Sequence, residues 1–269
     1  MKAMVGDYPV TKLFKQTAPF EFAKVEVPNT AFKRVVRNLE FDLAELAIMT
    51  FLLAKMHGKP LRLLPAVVTS RFQHSLLVFN SEKNKFQSAK DLEGKRVGQR
   101  SYSVTTATWV RGILADQYGV DLSRIKWITF EEPHVAEFRD PSNVEKAPPG
   151  KDVTAMLLAG EIDAAILGAP PKDERLKPLF PDPAAAAAEW QKKFGAIQIN
   201  HMLVVRTDMP QEVSDRVYKL FLASKAAAGD PAANPCGLEE NRRNLQVAID
   251  CIHRQNMLPR CPSVEDLFR

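Results

Sequence analysis

Two histidines and a glutamate stand where proton transfer could be carried out. His74 lies in the polar stretch Ser70-Arg71-Phe72-Gln73-His74-Ser75, between two apolar runs that read as strands. An imidazole there can exchange a proton near neutral pH, against the alternative of a histidine that only satisfies backbone groups. His201 interrupts the apolar run at 197–205, IQINHMLVV. A polar group inside a buried strand is costly unless paired, so it is either a working imidazole or one hydrogen-bonded within the core. Glu45 ends the segment FDLAEL just ahead of a helix. Ligand-contacting residues gather at strand ends of α/β sheets, so Glu45 could orient a histidine, or it could be a solvated or capping carboxylate. Asp7 and Tyr8 hold an equivalent place after the first strand. Arg71, beside Ser70, could clamp a carboxylate or pair with an acidic neighbour.

An anion-binding element is written into GKRVGQRSYSVTTATWVRGILADQYGV, residues 94–120. A short basic strand runs into a polar turn and then a helix with apolar residues at Ala107, Val110, Leu114 and Tyr118, widened by Ile113, ending at Gly119. The first turn of a helix offers outward backbone N–H groups. Ser101, Ser103, Thr105 and Thr106 crowd that end beside Tyr102 and a cation, which suits a carboxylate; each hydroxyl taken alone also reads as a helix cap. Arg111 falls more than a turn inside the helix, as a further substrate contact or as support for the lobe.

The elements that must position these groups alternate. Strands are expected at 3–5, 22–27, 41–46, 61–68 (interrupted by Pro65), 75–79, 95–98, 126–130, 160–167 and 197–205. Helices are expected at 11–16, 31–38, 50–57, 104–118, 152–159, 184–194, 211–228 and 238–255, the last two joined by a turn with Pro231 and Pro235. Residues 131–150 read as an exposed insertion. Strand material clusters before about residue 80 and again from about 95 to 167, which predicts α/β architecture in two lobes. The first is discontinuous, 1–90 plus 198–269, and the second is 91–197, with a ligand cleft between lobes.

Bulk properties narrow the function. The chain has 269 residues, 45% hydrophobic and 26% charged, with net charge +5 and pI near 9.0. The excess charge is spread thinly, with no basic run interleaved with aromatics, so nucleic acid is not expected. No segment is apolar enough to span a membrane, and the start turns polar before a signal-peptide core forms; a cytoplasmic protein is expected. The odd set of 3 cysteines lacks a CxxC pair and argues for reduced thiols, with one disulfide left open. His57, His134 and His253 read as surface or loop residues. No metal-ligand spacing, nucleotide-binding loop or GxSxG elbow is present.

The segments GDY, FDLAEL, SRFQHS, GKRVGQRSYSVTTATWVRGILADQYGV, LLAGEIDAAI, INHMLVVR and GLEENRRNL with VEDLF resemble, in order and over nearly the whole chain, the 4,5-dihydroxyphthalate decarboxylases. The anchor stretch with W-x-R-G and Y-G-V is the most specific; GEIDA and the terminal helix are shared with solute-binding relatives. The resemblance implies a type II periplasmic-binding-protein-like fold, related to the thiamine-precursor synthesis proteins, whose cysteine-rich motif is missing here. It also implies a decarboxylase without metal or organic cofactor that converts a hydroxylated aromatic dicarboxylate to a protocatechuate-type acid. Its partner would be a small aromatic carboxylate, with homo-oligomer formation left open. Such a reaction needs a base near the phenol, an acid at the ring carbon that loses CO2, and donors for the carboxylate that stays. That places His74, His201 and Glu45 in catalysis. Arg71, Ser70, Tyr102, Ser103, Thr105, Thr106, Asp7, Tyr8 and Arg111 would bind substrate. Gln73 and Gly168-Ala169 stand where the family more usually has basic or polar residues, one cation fewer for the second carboxylate. The alternative is a solute-binding or sensor protein that holds an aromatic carboxylate unchanged on the same fold.

Overall fold

A computed structural model describes residues 1–229 and 234–269; Pro231, in the predicted turn before the last helix, lies outside the described residues. In chain order the strands are β1 (Lys2–Met4), β2 (Glu21–Phe22), β3 (Leu43–Ala47), β4 (Leu61–Ser70), β5 (Leu77–Asn80), β6 (Arg96–Gln99), β7 (Lys126–Thr129), β8 (Val144–Lys146), β9 (Ala164–Ile166), β10 (Leu176–Pro178) and β11 (Ile199–Arg206). The helices are α1 (Pro9–Thr17), α2 (Phe32–Asn38), α3 (Ile48–Met56), α4 (Thr105–Tyr118), α5 (Val153–Ala159), α6 (Pro183–Phe194), α7 (Gln211–Ala227) and α8 (Leu238–Arg254). The mixed α/β chain divides into two compact units. Unit 1 is Met1–Arg71, His134–Glu137 and Ala196–Arg269; unit 2 is Phe72–Pro133 and Phe138–Gly195.

Unit 1 is built on a sheet in the order β2-β1-β3-β11-β4. β1 and β3 are parallel, while β11 runs antiparallel to both β3 and β4. The C-terminal ends of β1, β3 and β4 therefore share one edge with the start of β11. On one face α1 and α7 close a core in which Phe14 meets Phe221 edge-on at 5.7 Å, with Leu64, Leu203 and Val205 beneath; each such side chain is worth about 1.5–3 kcal/mol when fully buried. Helix α3 is buried along Ile48 to Ala54 because its sequence is apolar all round.

Two expectations change here. Pro65 does not interrupt β4, which continues to Ser70. β4 is an edge strand, where a missing N–H costs no ladder bond; the Pro65 carbonyl accepts from Gly237 N–H at 2.8 Å. The strand predicted at 22–27 shrinks to Glu21–Phe22, because β2 is itself an edge and pairs only with β1.

Unit 2 has the sheet order β10-β5-β9-β6-β7-β8. The run around β5, expected in the first lobe, belongs here: Leu77 to Phe79 pair antiparallel with β9, and Val78 to Asn80 with β10. An isolated apolar run does not say which sheet will take it; the register with Ala164–Ile166 decides. The predicted insertion at 131–150 is also split. Its Val144–Lys146 adds a parallel strand beside β7, while His134–Glu137 packs into unit 1. A Cβ on Gly98 in β6 would lie 2.6 Å from Ile162 Cδ1 and 3.0 Å from Val153 Cγ2, so a side chain there would make these neighbours shift where α5 closes on the sheet. Among the described residues no helix is long and apolar enough to cross a membrane.

Candidate active site

The strand register of unit 1 lines up its polar residues. Glu45 opposes Leu203, His201 opposes Ala47 on one side and Thr69 on the other. Directly opposed residues share a face, as do residues two apart, so Glu45 and His201 lie on one face at the strand-end edge, while Thr69 opposes His201 beside a register shift. Glu45 is fully buried. Its Oε1 accepts from Tyr8 Oη at 2.9 Å and lies 2.5 Å from His201 Nδ1, and its Oε2 accepts from Gly6 N–H at 2.8 Å. A carboxylate only accepts, so the imidazole proton in this pair sits on Nδ1. That leaves Nε2 of His201 to give or take a proton. Three donors offset the desolvation of the buried carboxylate. Burial, and then the Glu45 charge, push the Tyr8 phenol up from its ordinary value, which keeps it a hydrogen-bond donor.

The His201 ring is held edge-on to Phe32 at 5.3 Å, and Phe32 meets His134 the same way at 5.6 Å. His134, expected at the surface, is buried, with Nδ1 2.9 Å from Thr50 Oγ1 and its carbonyl accepting from Arg37 Nε at 2.8 Å. Sequence reading missed Phe32, Gly6 and Thr69 as neighbours of the pair. Only the polar character of the Thr69–Ser70–Arg71 stretch hinted at the last. The Thr69 hydroxyl is buried with no hydrogen-bond partner among the described residues.

The remaining unit 1 candidates divide. Tyr8, expected as a substrate contact, points its hydroxyl at Glu45. Asp7 is a correction: it is exposed and ion-paired with Lys15 at 2.6 Å, because its side chain turns outward just past β1. Ser70 Oγ donates to Asn234 Oδ1 at 3.1 Å. Arg71 is exposed at the end of β4, its N–H bonded to the Gln198 carbonyl at 3.2 Å.

In unit 2 the hydroxyl turn follows β6. The residue before α4 is Val104, whose side chain makes no capping hydrogen bond. Ser101, Tyr102, Ser103 and Thr105 are buried and Thr106 is half-buried. Ser101 Oγ and Gln99 Nε2 find no hydrogen-bond partner among the described residues, so donors remain at the strand-to-helix junction, where an anion is favoured. Arg111, read as a further substrate contact or as support for the lobe, packs against the same turn. It is fully buried, its guanidinium 3.7 Å from the Tyr102 ring centroid and 5.7 Å from that of Trp127, donating to Gln99 Oε1 at 2.8 Å and Thr108 Oγ1 at 3.3 Å. It braces the turn from behind.

His74 is the largest correction. It sits in a 3-10 turn, His74–Leu76, 1% exposed, against Phe72 and Phe180. Its Nε2 lies 3.1 Å from Gln117 Oε1, and the Gln117 amide donates in turn to the Ala186 carbonyl at 3.0 Å. Gln117 is about 18 Å along α4 from Thr105 at about 1.5 Å per residue, so His74 packs near the end of α4 opposite the hydroxyl turn. It lies between two strands, β4 and β5, as the sequence predicts, but the chain has already crossed into unit 2 there, and its Nδ1 is buried with no hydrogen-bond partner among the described residues. Burial lowers its proton affinity below the ordinary value of 6.5, partly offset by the Gln117 bond. Below that value the unfolded chain takes up a proton that the folded ring resists. This contribution to stability is complete above 6.5 and is lost as pH falls through the folded value. The melting temperature is expected to drop between about pH 7.5 and about pH 5.5, and to drop less in His74→Gln. Equal drops in both proteins, by scanning calorimetry, would remove His74 as the cause.

Among the described residues no group of His, Cys, Asp and Glu side chains is placed to hold a metal ion. A family model described as NMT1/THI5 like matches residues 25–140. A 4,5-dihydroxyphthalate decarboxylase of Comamonas testosteroni is 30% identical over 223 residues, covering 75% of this chain and 66% of that protein. The chain is similar to that decarboxylase over most of its own length. A second relative of that description, from Pseudomonas putida, is 29% identical over 178 residues, 61% of this chain and 69% of its own length. The matched region thus spans about two thirds of these decarboxylases. In fold the chain resembles periplasmic binding proteins. The alkanesulfonate-binding protein SsuA of Xanthomonas axonopodis pv. citri, bound to MOPS, aligns with a TM-score of 0.57 at 15% identity, covering 98% of this chain and 96% of that one. The aliphatic sulphonate binding protein SsuA of Escherichia coli aligns with a TM-score of 0.58 at 14% identity, covering 100% and 97%. These two likenesses carry the fold and not the ligand.

Proposed function

We propose that the protein is a decarboxylase of a hydroxylated aromatic carboxylic acid, with 4,5-dihydroxyphthalate converted to protocatechuate and CO2 as the specific reaction. The observation that carries this reading is the Glu45–His201 pair, an imidazole oriented by a buried carboxylate and left with Nε2 to work. The names of the two decarboxylase relatives support the substrate class.

The chemistry follows from what such a ring requires. A hydroxyl pushes electrons toward the carbon bearing the departing carboxylate. Protonated His201 gives its Nε2 proton to that carbon, the carbon–carboxylate bond breaks, its electrons restore the aromatic ring, and CO2 leaves. Water then reprotonates the imidazole, so one proton replaces one CO2. Glu45 holds the Nδ1 proton in place and stabilises the charged ring, the part a carboxylate plays behind any acid–base histidine.

A binding protein is the second reading, favoured by the SsuA folds. Purified protein incubated with a panel of hydroxylated phthalates and benzoates decides between them. The expected result is enzyme-dependent CO2 release from 4,5-dihydroxyphthalate, with little from rings lacking a hydroxyl. Tight binding of an unchanged aromatic acid, with no CO2 from any compound, would establish the binding protein instead.

A further inference from the structure

We propose that Tyr8, seated over Gly6, is a positioning residue that shares the Glu45 carboxylate with His201 and so sets how readily the imidazole gives up its proton; this rests on the acid role proposed for His201. Two contacts carry it. Tyr8 Oη and His201 Nδ1 converge on the same oxygen, Oε1, at 2.9 and 2.5 Å, while Gly6 N–H takes the other oxygen. A Cβ on Gly6 would lie 2.7 Å from Tyr8 Cε2 and 2.8 Å from both Tyr8 Cζ and Pro28 Cγ. Glycine is thus what lets the phenol ring lie across the turn and reach the carboxylate, while the turn's own N–H binds the second oxygen. One short segment after β1 supplies both supports of Glu45.

The physical effect has a direction. Each donor on Oε1 draws charge from it. With the phenol present, less of the carboxylate charge bears on Nδ1–H, and the imidazolium is the stronger acid. Without it, the proton is held more tightly and protonation of a ring carbon slows. Asp7 is tied to Lys15, His134 lies across the Phe32 ring and bonds Thr50, and Arg71 is exposed beyond β4. Arg62 bonds Ser214 and Arg206 pairs with Asp208, both toward the far ends of β4 and β11.

The test is Tyr8→Phe, which keeps the ring and removes the oxygen. With 4,5-dihydroxyphthalate, kcat is expected to fall about tenfold with KM within about twofold. A readout that needs no turnover is the proton spectrum of the full chain, where the His201 Nδ1–H resonance should move downfield in Tyr8→Phe. Gly6→Ala, which pushes the ring off its seat, should move the resonance the same way. A raised KM with unchanged kcat would make Tyr8 a substrate contact and overturn the proposal. So would an unmoved resonance in either variant. Resonance shifts in a protein that releases no CO2 from any compound would sink the decarboxylase reading and leave the sharing of Glu45 supported.

Discussion

His201→Gln is expected to release CO2 from 4,5-dihydroxyphthalate about 10² to 10⁴ times more slowly than the wild type, the range a positioned acid–base group contributes. The side chain is only 15% exposed and is oriented on two sides, by Glu45 and by the edge of Phe32. Glutamine fills similar space and can still donate to Glu45, so the fold should survive while the proton at Nε2 is gone. KM should stay within about threefold, because the loss falls on a step and not on ground-state binding. Glu45→Gln should cost on the order of 10² in kcat, since a neutral amide no longer stabilises the charged imidazole. Trapped CO2 under saturating substrate measures both. If His201→Gln kept full CO2 release, the acid would have to be sought elsewhere, and His134 would be the next imidazole to test in unit 1.

Arg111→Met should carry the largest stability cost of the substitutions considered, roughly 2–4 kcal/mol. Its charge-assisted bond to Gln99 is worth about 1.5–3 kcal/mol, and a desolvated guanidinium over an aromatic face about 2 kcal/mol more. Relief from burying a charge offsets part of that sum. Removing the guanidinium also takes the Gln99 Oε1 donor away, on an amide whose nitrogen already lacks a partner. Against a total stability of about 5–15 kcal/mol this is a large share. Arg111→Lys should recover little, because an ammonium cannot donate to Gln99 and stack on Tyr102 in one plane. Urea denaturation followed by circular dichroism reads the midpoint directly. An unchanged midpoint would mean the turn after β6 needs no brace.

The corrections share a cause. Local pattern identifies which residues are costly to bury, but not where the chain takes them. His201 and His74 look alike in sequence, each a histidine beside apolar runs. One is drawn to a buried carboxylate by antiparallel pairing of β11 with β3, and the other is closed in by Phe72, Phe180 and Gln117. Asp7 and Glu45 look equivalent as acids near strand ends. Three residues past β1, Asp7 turns out to Lys15, while Glu45, inside β3, points toward Gly6 and Tyr8.

The amino-acid sequence alone determined the alternation of strands and helices, the hydroxyl-rich start of α4 and the resemblance to the decarboxylases, because periodicity, turn chemistry and motif order are local properties. Only the tertiary structure decided that β5 joins the second sheet, that residues 134–137 return to the first, and that Glu45 lies within reach of His201, 156 residues on. Those outcomes depend on strand register, and register is set by which distant apolar faces bury one another.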